Sequence, residues 1–139
     1  MSGIYRYSIL KDHNLIILVL QDDITFDGLK KIRKKVSEDK NFNPECKFLA
    51  DVRLSRFDAN IKDVKEFGEW FFKNSKMKSQ NKKVFLTNNP DQVVKSIVFT
   101  TISTVFNFKI FSTLKSCLKH LEIDSFSLDV IEKEIEIMI

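Results

Sequence analysis

Apolar and polar positions along the chain change period several times, and each change marks an element. Residues 5–10 alternate weakly. Residues 14–20 (NLIILVL) form a continuous leucine and β-branched run, with the turn Lys11-Asp12-His13-Asn14 between the two. This pair predicts an antiparallel hairpin whose second strand, apolar on both faces, lies inside a sheet. Over residues 23–38 the period becomes helical. Phe26, Leu29, Ile32 and Val36 make one stripe, Thr25 is the expected N-cap, and Asp27 stands in the first turn. Asn41-Phe42-Asn43-Pro44 breaks the chain before a third strand, Phe48-Leu49-Ala50, which is expected to end in the charged trio Asp51-Val52-Arg53. A polar crossing over residues 54–58 leads past Asn60 into a second helix, residues 61–74, with Ile61, Val64, Phe67, Gly68 and Phe71 inward and Trp70 and Phe72 off that stripe.

Residues 82–87 (KKVFLT) predict a fourth strand, and Asn89-Pro90-Asp91 is a strong helix start. The third helix, expected from Gln92 to about Thr104, carries Val93, Val94, Ile97, Val98, Phe99, Ile102 and Val105 around most of its circumference. A helix apolar on so many sides needs cover on several, which points to a partner subunit or an apolar ligand. Residues 107–111 predict a fifth strand. Ser112 or Thr113 then opens a fourth helix with Leu114, Cys117, Leu118 and Leu121 on its apolar face. Residues 126–139 fit two patterns: Leu128, Ile131, Ile135 and Met138 a helix capped by Ser127, and Ile135, Ile137 and Ile139 a strand; the helix is preferred. The fold class is therefore α/β: a mixed, mostly parallel five-stranded sheet, an N-terminal hairpin followed by alternating helix–strand units, about four covering helices, and an acidic C-terminal segment read as helical.

At 139 residues the chain is one domain able to build a core without disulfides or metals. Thirteen Phe against 2 Tyr and 1 Trp forecast a core of bulky rings, and only 3 Gly and 2 Pro forecast short loops. Cys46 and Cys117 read as buried free thiols. The absence of a recognisable leader and of any run of membrane-spanning length makes a cytoplasmic protein the expectation. The net charge of +4 is uneven. From Glu122 onward six acids accompany one lysine, leaving 22 basic and 13 acidic residues, net +9, in the body before it. That division sets residues 1–122 as a domain and 123–139 as an acidic extension, whose removal after Asp124 is expected to leave a folded protein. Lys30, Lys31, Arg33, Lys34 and Lys35 on the first helix read as a solvated face; the sharper reading is a patch for phosphates or an acidic partner.

The texture of NLIILVLQDDITFDGLKKI, the loop with Phe42 and Pro44, KFLADVR, KKVFLTNNPD with its apolar helix, and FKIFSTLKSCLKHL resembles the STAS-like group, in particular the SpoIIAA-like domain proteins of bacteria. These are distant relatives of anti-sigma-factor antagonists and similar in fold to lipid-binding CRAL-TRIO domains. The likeness covers residues 4–122 or so, with Asp51-Val52-Arg53 its local signature. It implies a non-enzymatic regulatory module. Anti-sigma-factor antagonists carry a phosphorylatable Ser before the helix that follows the third strand. Here that place reads Asp58-Ala59-Asn60-Ile61, with no hydroxyl, so the phosphorylation switch is expected to be missing.

No residue set compels a chemistry. Gly3, Gly28 and Gly68 are isolated, so a glycine-rich phosphate cradle is excluded. His13 and His120 do not form a nucleophile pair or metal set with their neighbours: Cys117 and His120, three apart, are two ligands at most. No catalytic residue, metal or cofactor is assigned. The candidate partner- or anion-binding edge is Asp51, Arg53, Ser55, Arg56 and Asp58 after the third strand with Asn88 and Asn89 after the fourth, where open α/β sheets meet ligands. The competing reading is that Asp51 pairs with Arg53 and the others cap helices. The candidate apolar interface or ligand surface is Val94, Ile97, Val98, Phe99 and Ile102. The leading expectation is a binding module for a protein partner or a second copy of itself. The alternative is a carrier of a small apolar ligand or lipid, which predicts an enclosed cavity where the module predicts close packing. Nucleic acid is disfavoured for want of a reader motif.

Overall fold

The computed structural model describes residues 2–78, 80–102 and 107–139. Its elements run β1 (Ile4–Leu10), β2 (Leu15–Asp23), α1 (Phe26–Glu38), β3 (Lys47–Arg56), α2 (Ile61–Asn74), β4 (Lys83–Leu86), α3 (Pro90–Ile102), β5 (Phe108–Phe111), α4 (Leu114–His120) and α5 (Leu128–Met138). The five strands lie in the order β1-β2-β3-β4-β5, with β1 antiparallel to β2 and every later pair parallel. This is the mixed, mostly parallel sheet that the pattern predicts. The final segment is a helix; it buries Ile131, Ile135 and Met138, while Ile137 faces out. The end expected for the third helix, Thr104 with Val105, lies outside the described residues.

The elements start where the polar residues direct. Thr25 caps α1 by accepting from the Gly28 amide, Asn60 caps α2 by accepting from Asp63 N, and Thr113 caps α4 by accepting from Ser116 N. Asn89 Oδ1 accepts from Gln92 N at 3.0 Å, just ahead of Pro90 at the first turn of α3. Ser127 does not cap α5 with its side chain; its hydroxyl meets His13 Nε2 at 2.9 Å instead, while Asp124 caps the preceding 3-10 turn. Gly28 has a packing reason. A Cβ there would come within 2.1 Å of the Tyr5 ring, whose hydroxyl accepts from Thr25 N at 2.8 Å.

Two expectations are corrected. The third strand does not stop at the charged trio but runs ten residues to Arg56. Its partner β2 continues to Asp23 and pairs with Leu54, Ser55 and Arg56 beyond a bulge, so the polar stretch has hydrogen-bonding company that its composition hides. Ile61 is not inward: it stands exposed at the first turn of α2, whose buried residues are Val64, Gly68 and Phe71.

Strands in sequential order joined by right-handed crossovers put all their helices on one side. Accordingly α1, α2 and α3 cover the face that carries Ile16, Leu18, Phe48, Ala50, Phe85 and Phe108. The opposite face, with Leu15, Ile17, Leu49, Val84 and Leu86, is closed by α4 and α5. The segment after Glu122 therefore belongs to the same buried cluster as the sheet. Arg6 Nη1 also donates to the Met138 carbonyl at 2.8 Å, and Ser8 Oγ to Glu134 at 2.7 Å, tying α5 across β1.

This packing reverses the expectation for the tail. Ile131, Ile135 and Met138 each contribute about 1.5–3 kcal/mol by burial, against a whole-domain stability on the order of 5–15 kcal/mol. A chain ended after Asp124 is expected to lose cooperative thermal unfolding. Ile135→Ala is expected to cost about 2–5 kcal/mol in urea denaturation, and a truncated chain that melts like the full one would disprove this role.

Candidate functional site

The bulge in β3 divides the predicted edge site between the two faces. Val19 pairs with Asp51 but Gln21 pairs with Leu54, so Val52 and Arg53 together oppose Leu20. The extra residue reverses the alternation. Leu49 and Asp51 precede it on the α4–α5 side, where the Arg53 guanidinium joins Asp51, whereas Ser55 lines a cavity under α1–α3.

Asp51, only 3% exposed, receives Arg53 twice through its guanidinium, Nε at 3.0 Å and Nη2 at 2.8 Å, and once through the Arg53 amide at 3.1 Å. Hydrogen bonding to Asp51 pushes the Arg53 pKa up. The nearby Cys117 thiol is fully buried and pushed up to about 12, by burial first and then by the Asp51 charge, which keeps it a neutral thiol at physiological pH. Arg56 pairs with Asp23 at 3.0 Å in solvent. Ser55 Oγ donates to the Val52 carbonyl at 2.8 Å. Asp58 stands exposed on the loop before α2, and Asn88 and Asn89 sit at the start of α3. The cations expected to hold an anion, Arg53 and Arg56, are each matched by a carboxylate.

Gln92 organises the same edge and carried no sequence signal beyond its place in the first turn of α3. Its side chain is buried, with Nε2 donating to the carbonyls of Val52 at 2.8 Å, Ser55 at 3.2 Å and Arg53 at 3.3 Å, and Oε1 accepting from Asn88 N at 2.9 Å. One amide thus satisfies the carbonyls that the bulge turns out of register. Lys95 closes the next turn, bonded to the Phe57 carbonyl and to Asp91.

Beneath these groups, between the sheet and α1–α3, lies a cavity of about 180 Å³. Its walls combine aliphatic residues of β2, β3 and α1 with a cluster of phenylalanines. Phe85 and Phe108 stack at 4.9 Å, and Phe99 meets Phe67, Phe71, Phe85 and Phe108 at 5.3–5.6 Å. Of the predicted apolar surface, Phe99 is buried in this wall and Val98 packs beside it, whereas Val94 and Ile97 are each 50% exposed on the outer side of α3. Ile102 falls in the last turn of α3, with its side chain outside the described residues. So α3 is not covered all round.

The basic stripe of α1 is also divided. Lys31, Lys34 and Lys35 are exposed, but Arg33 lines the cavity. Lys30 Nζ and the Arg33 guanidinium each lie 5.2 Å from the centre of the Trp70 ring. Arg33 Nη2 is buried with no hydrogen-bond partner among the described residues, and burial lowers its pKa. The signal for this was legible. Arg33 is four residues after Leu29 and three before Val36, inside the apolar stripe rather than opposite it.

Of two further polar groups shielded from solvent, Lys83 and His120, the first has a structural explanation. Lys83, 0% exposed, donates to the carbonyls of Lys78 and Asn81 at 2.8 Å each, tying down the turn before β4, and burial lowers its pKa to about 8. His120 packs on Phe111, where burial lowers its pKa, and its Nε2 is also buried without a hydrogen-bond partner among the described residues. Among the described residues no group of three or more His, Cys, Asp or Glu has metal-binding geometry, and no helix is long and apolar enough to cross a membrane.

No protein-family model and no curated protein matches this sequence. Solved structures do match in fold. An anti-sigma-factor antagonist from Mycobacterium paratuberculosis superposes with a TM-score of 0.56 at 12% identity over 87% of this chain and 95% of its own. An uncharacterised protein with a SpoIIAA-like fold from Shewanella loihica gives 0.57 at 12% identity over 86% and 94%. The chain has a STAS/SpoIIAA-like fold, as its sequence texture implies.

Asp51→Asn is expected to cost about 1–3 kcal/mol in urea unfolding, since it weakens two charge-assisted bonds to a half-buried guanidinium. Adding Arg53→Met should cost less than the sum of the two single changes, and strict additivity would refute their coupling. The Lys83 prediction concerns pH. Its pKa is about 8 when folded against 10.5 when free, so between these values the unfolded chain holds the additional proton and stability rises with pH. Lys83→Met should flatten the rise of the urea midpoint across this window, and an unchanged slope would rule out that contribution.

Proposed function

We propose that this protein is a non-enzymatic binding module whose ligand is a small apolar molecule held between the sheet and α1–α3. The observation that carries this reading is the cavity of about 180 Å³ in the centre of the aromatic layer. Native cores are packed to crystal-like density, and an unfilled apolar space of this size leaves dispersion contacts unmade. An engineered cavity of roughly 150 Å³ admits benzene, so one ring or a short alkyl chain is the matching size. A carrier calls for an enclosed apolar cavity and a surface module for close packing; the apolar space under α1–α3, half open, supports the first.

A second reading, contact with a protein partner or a second copy through α3, is favoured by one observation. Val94 and Ile97 lie one turn apart on its outer side, each 50% exposed. It also agrees with the description of one fold neighbour as an anti-sigma-factor antagonist. The two readings are compatible, since a ligand that fills the layer behind α3 would steady the helix that the partner meets.

Ala50→Leu separates a true cavity from a packed core. Ala50 is buried and lines the cavity. The larger side chain is expected to raise the urea midpoint and to abolish binding of octanol, followed by the fluorescence of Trp70. A loss of about 1–3 kcal/mol, the usual result of overpacking a filled core, would refute the reading. Native mass spectrometry of the purified protein, reporting retained small-molecule mass and stoichiometry together, tests both readings on one sample.

A further inference from the structure

The cavity is not apolar throughout. Its wall includes the end of α1, the turn after α2 and the loop feeding β3, all at the amino ends of the parallel strands. There it holds Arg33, Ser37, Ser75 and the exposed Lys76. Arg33 projects from the middle of the apolar stripe of α1, its guanidinium resting on Trp70. A guanidinium presents five donors in a planar fork. Nη2 is shielded from solvent yet has no acceptor among the described residues. A buried donor left without a partner is costly, and each such group in a folded protein requires an explanation. The hydroxyls nearby do not supply one: Ser37 Oγ donates to the Lys34 carbonyl at 2.9 Å, and Ser75 Oγ accepts from Met77 N.

The acceptor that fits this fork is a planar oxyanion on a ligand. We infer that the ligand is a short-chain amphiphilic carboxylate whose head is received by Arg33 and whose tail lies among the phenylalanines. This rests on the cavity reading above and adds the chemistry of the head and its end of the cavity. Lys76, at the same end, adds a second positive charge in solvent that attracts an anion without being desolvated. The assignment also places the ligand's polar end away from the carboxyl edge of the sheet, where Arg53 and Arg56 already have carboxylates.

Octanoate and octanol share a tail and differ at the head, and the chain's single tryptophan, Trp70, sits against Arg33 as a reporter. Titration of the wild-type protein at neutral pH, followed by Trp70 fluorescence and calorimetry, is expected to show octanoate binding about tenfold tighter than octanol, the scale of one charge-assisted bond. Arg33→Gln should remove the preference, the loss falling on octanoate far more than on octanol. Equal affinities in the wild type would overturn the carboxylate assignment and leave the cavity standing. Binding of neither probe would overturn the cavity reading and the inference with it. Tighter binding of octyl phosphate than of octanoate would also overturn the carboxylate assignment, in favour of a phosphate head. Should Arg33→Gln fail to fold, the wild-type comparison still decides, and Arg33→Lys, which keeps the charge and loses the fork, provides a second variant.

Discussion

The handedness of the three parallel crossovers governs this molecule. Four strands laid down side by side in sequence order, each joined to the next by a right-handed connection, must put their helices on one side of the sheet. That side receives α1, α2 and α3. The other receives nothing until the sheet is complete, so its cover has to come from the chain's last segment. The acidic composition after Glu122 disguises this obligation. The apolar residues Leu128, Ile131, Ile135 and Met138 recur there at helical spacing, and Asp129, Glu132 and Glu136 stand exposed between them.

The two layers solve their packing with different side chains. Under α4 and α5 the contacts are almost entirely aliphatic: Leu, Ile, Val, one Met and Cys117, all able to choose rotamers that fill gaps. Under α1–α3 aliphatic residues share the layer with many rings, in contact at 4.9–5.9 Å. Planar rings that meet edge-to-face or stacked hold one another at set distances, and a layer built so is poor at closing the space in its middle. The unusual excess of Phe in the composition is thus concentrated on one face, and the space falls on that face too.

Much of this architecture was legible because its signals are local. Thr25, Asn60, Asn89 and Thr113 announced the helix starts through short side chains that reach their own backbone, and the continuous apolar run of β2 announced a strand buried on both faces. The end of β3 was not legible. Asp51, Arg53 and Ser55 read as loop chemistry until β2 is seen pairing with residues 54–56, and nothing in the sequence marks the bulge that sends Asp51 and Ser55 to opposite faces. The predicted edge cluster was one site in sequence and two in space. Arg33 illustrates a different failure. Its place within the stripe of Leu29, Ile32 and Val36 was visible, but four neighbouring lysines made a solvated face the natural reading.

The two ends of the aromatic layer show why the polar groups around it are not equivalent. At the carboxyl edge, Gln92 answers the bulged carbonyls of β3, Lys95 answers Phe57 and Asp91, and Ser55 answers Val52, so the polar groups at that end satisfy one another. At the amino end, Arg33 stacks on Trp70 and meets no such answer at Nη2. Stacking on a ring offsets part of the cost of taking a guanidinium out of water, but it leaves the buried Nη2 donor without an acceptor among the described residues. A residue there for packing alone would be better served by Met or Leu, which bring the same bulk without a charge to desolvate. The fold's own demands therefore explain the polar groups at the carboxyl edge and do not explain Arg33, which is the ground for placing the head of the proposed ligand at the amino end.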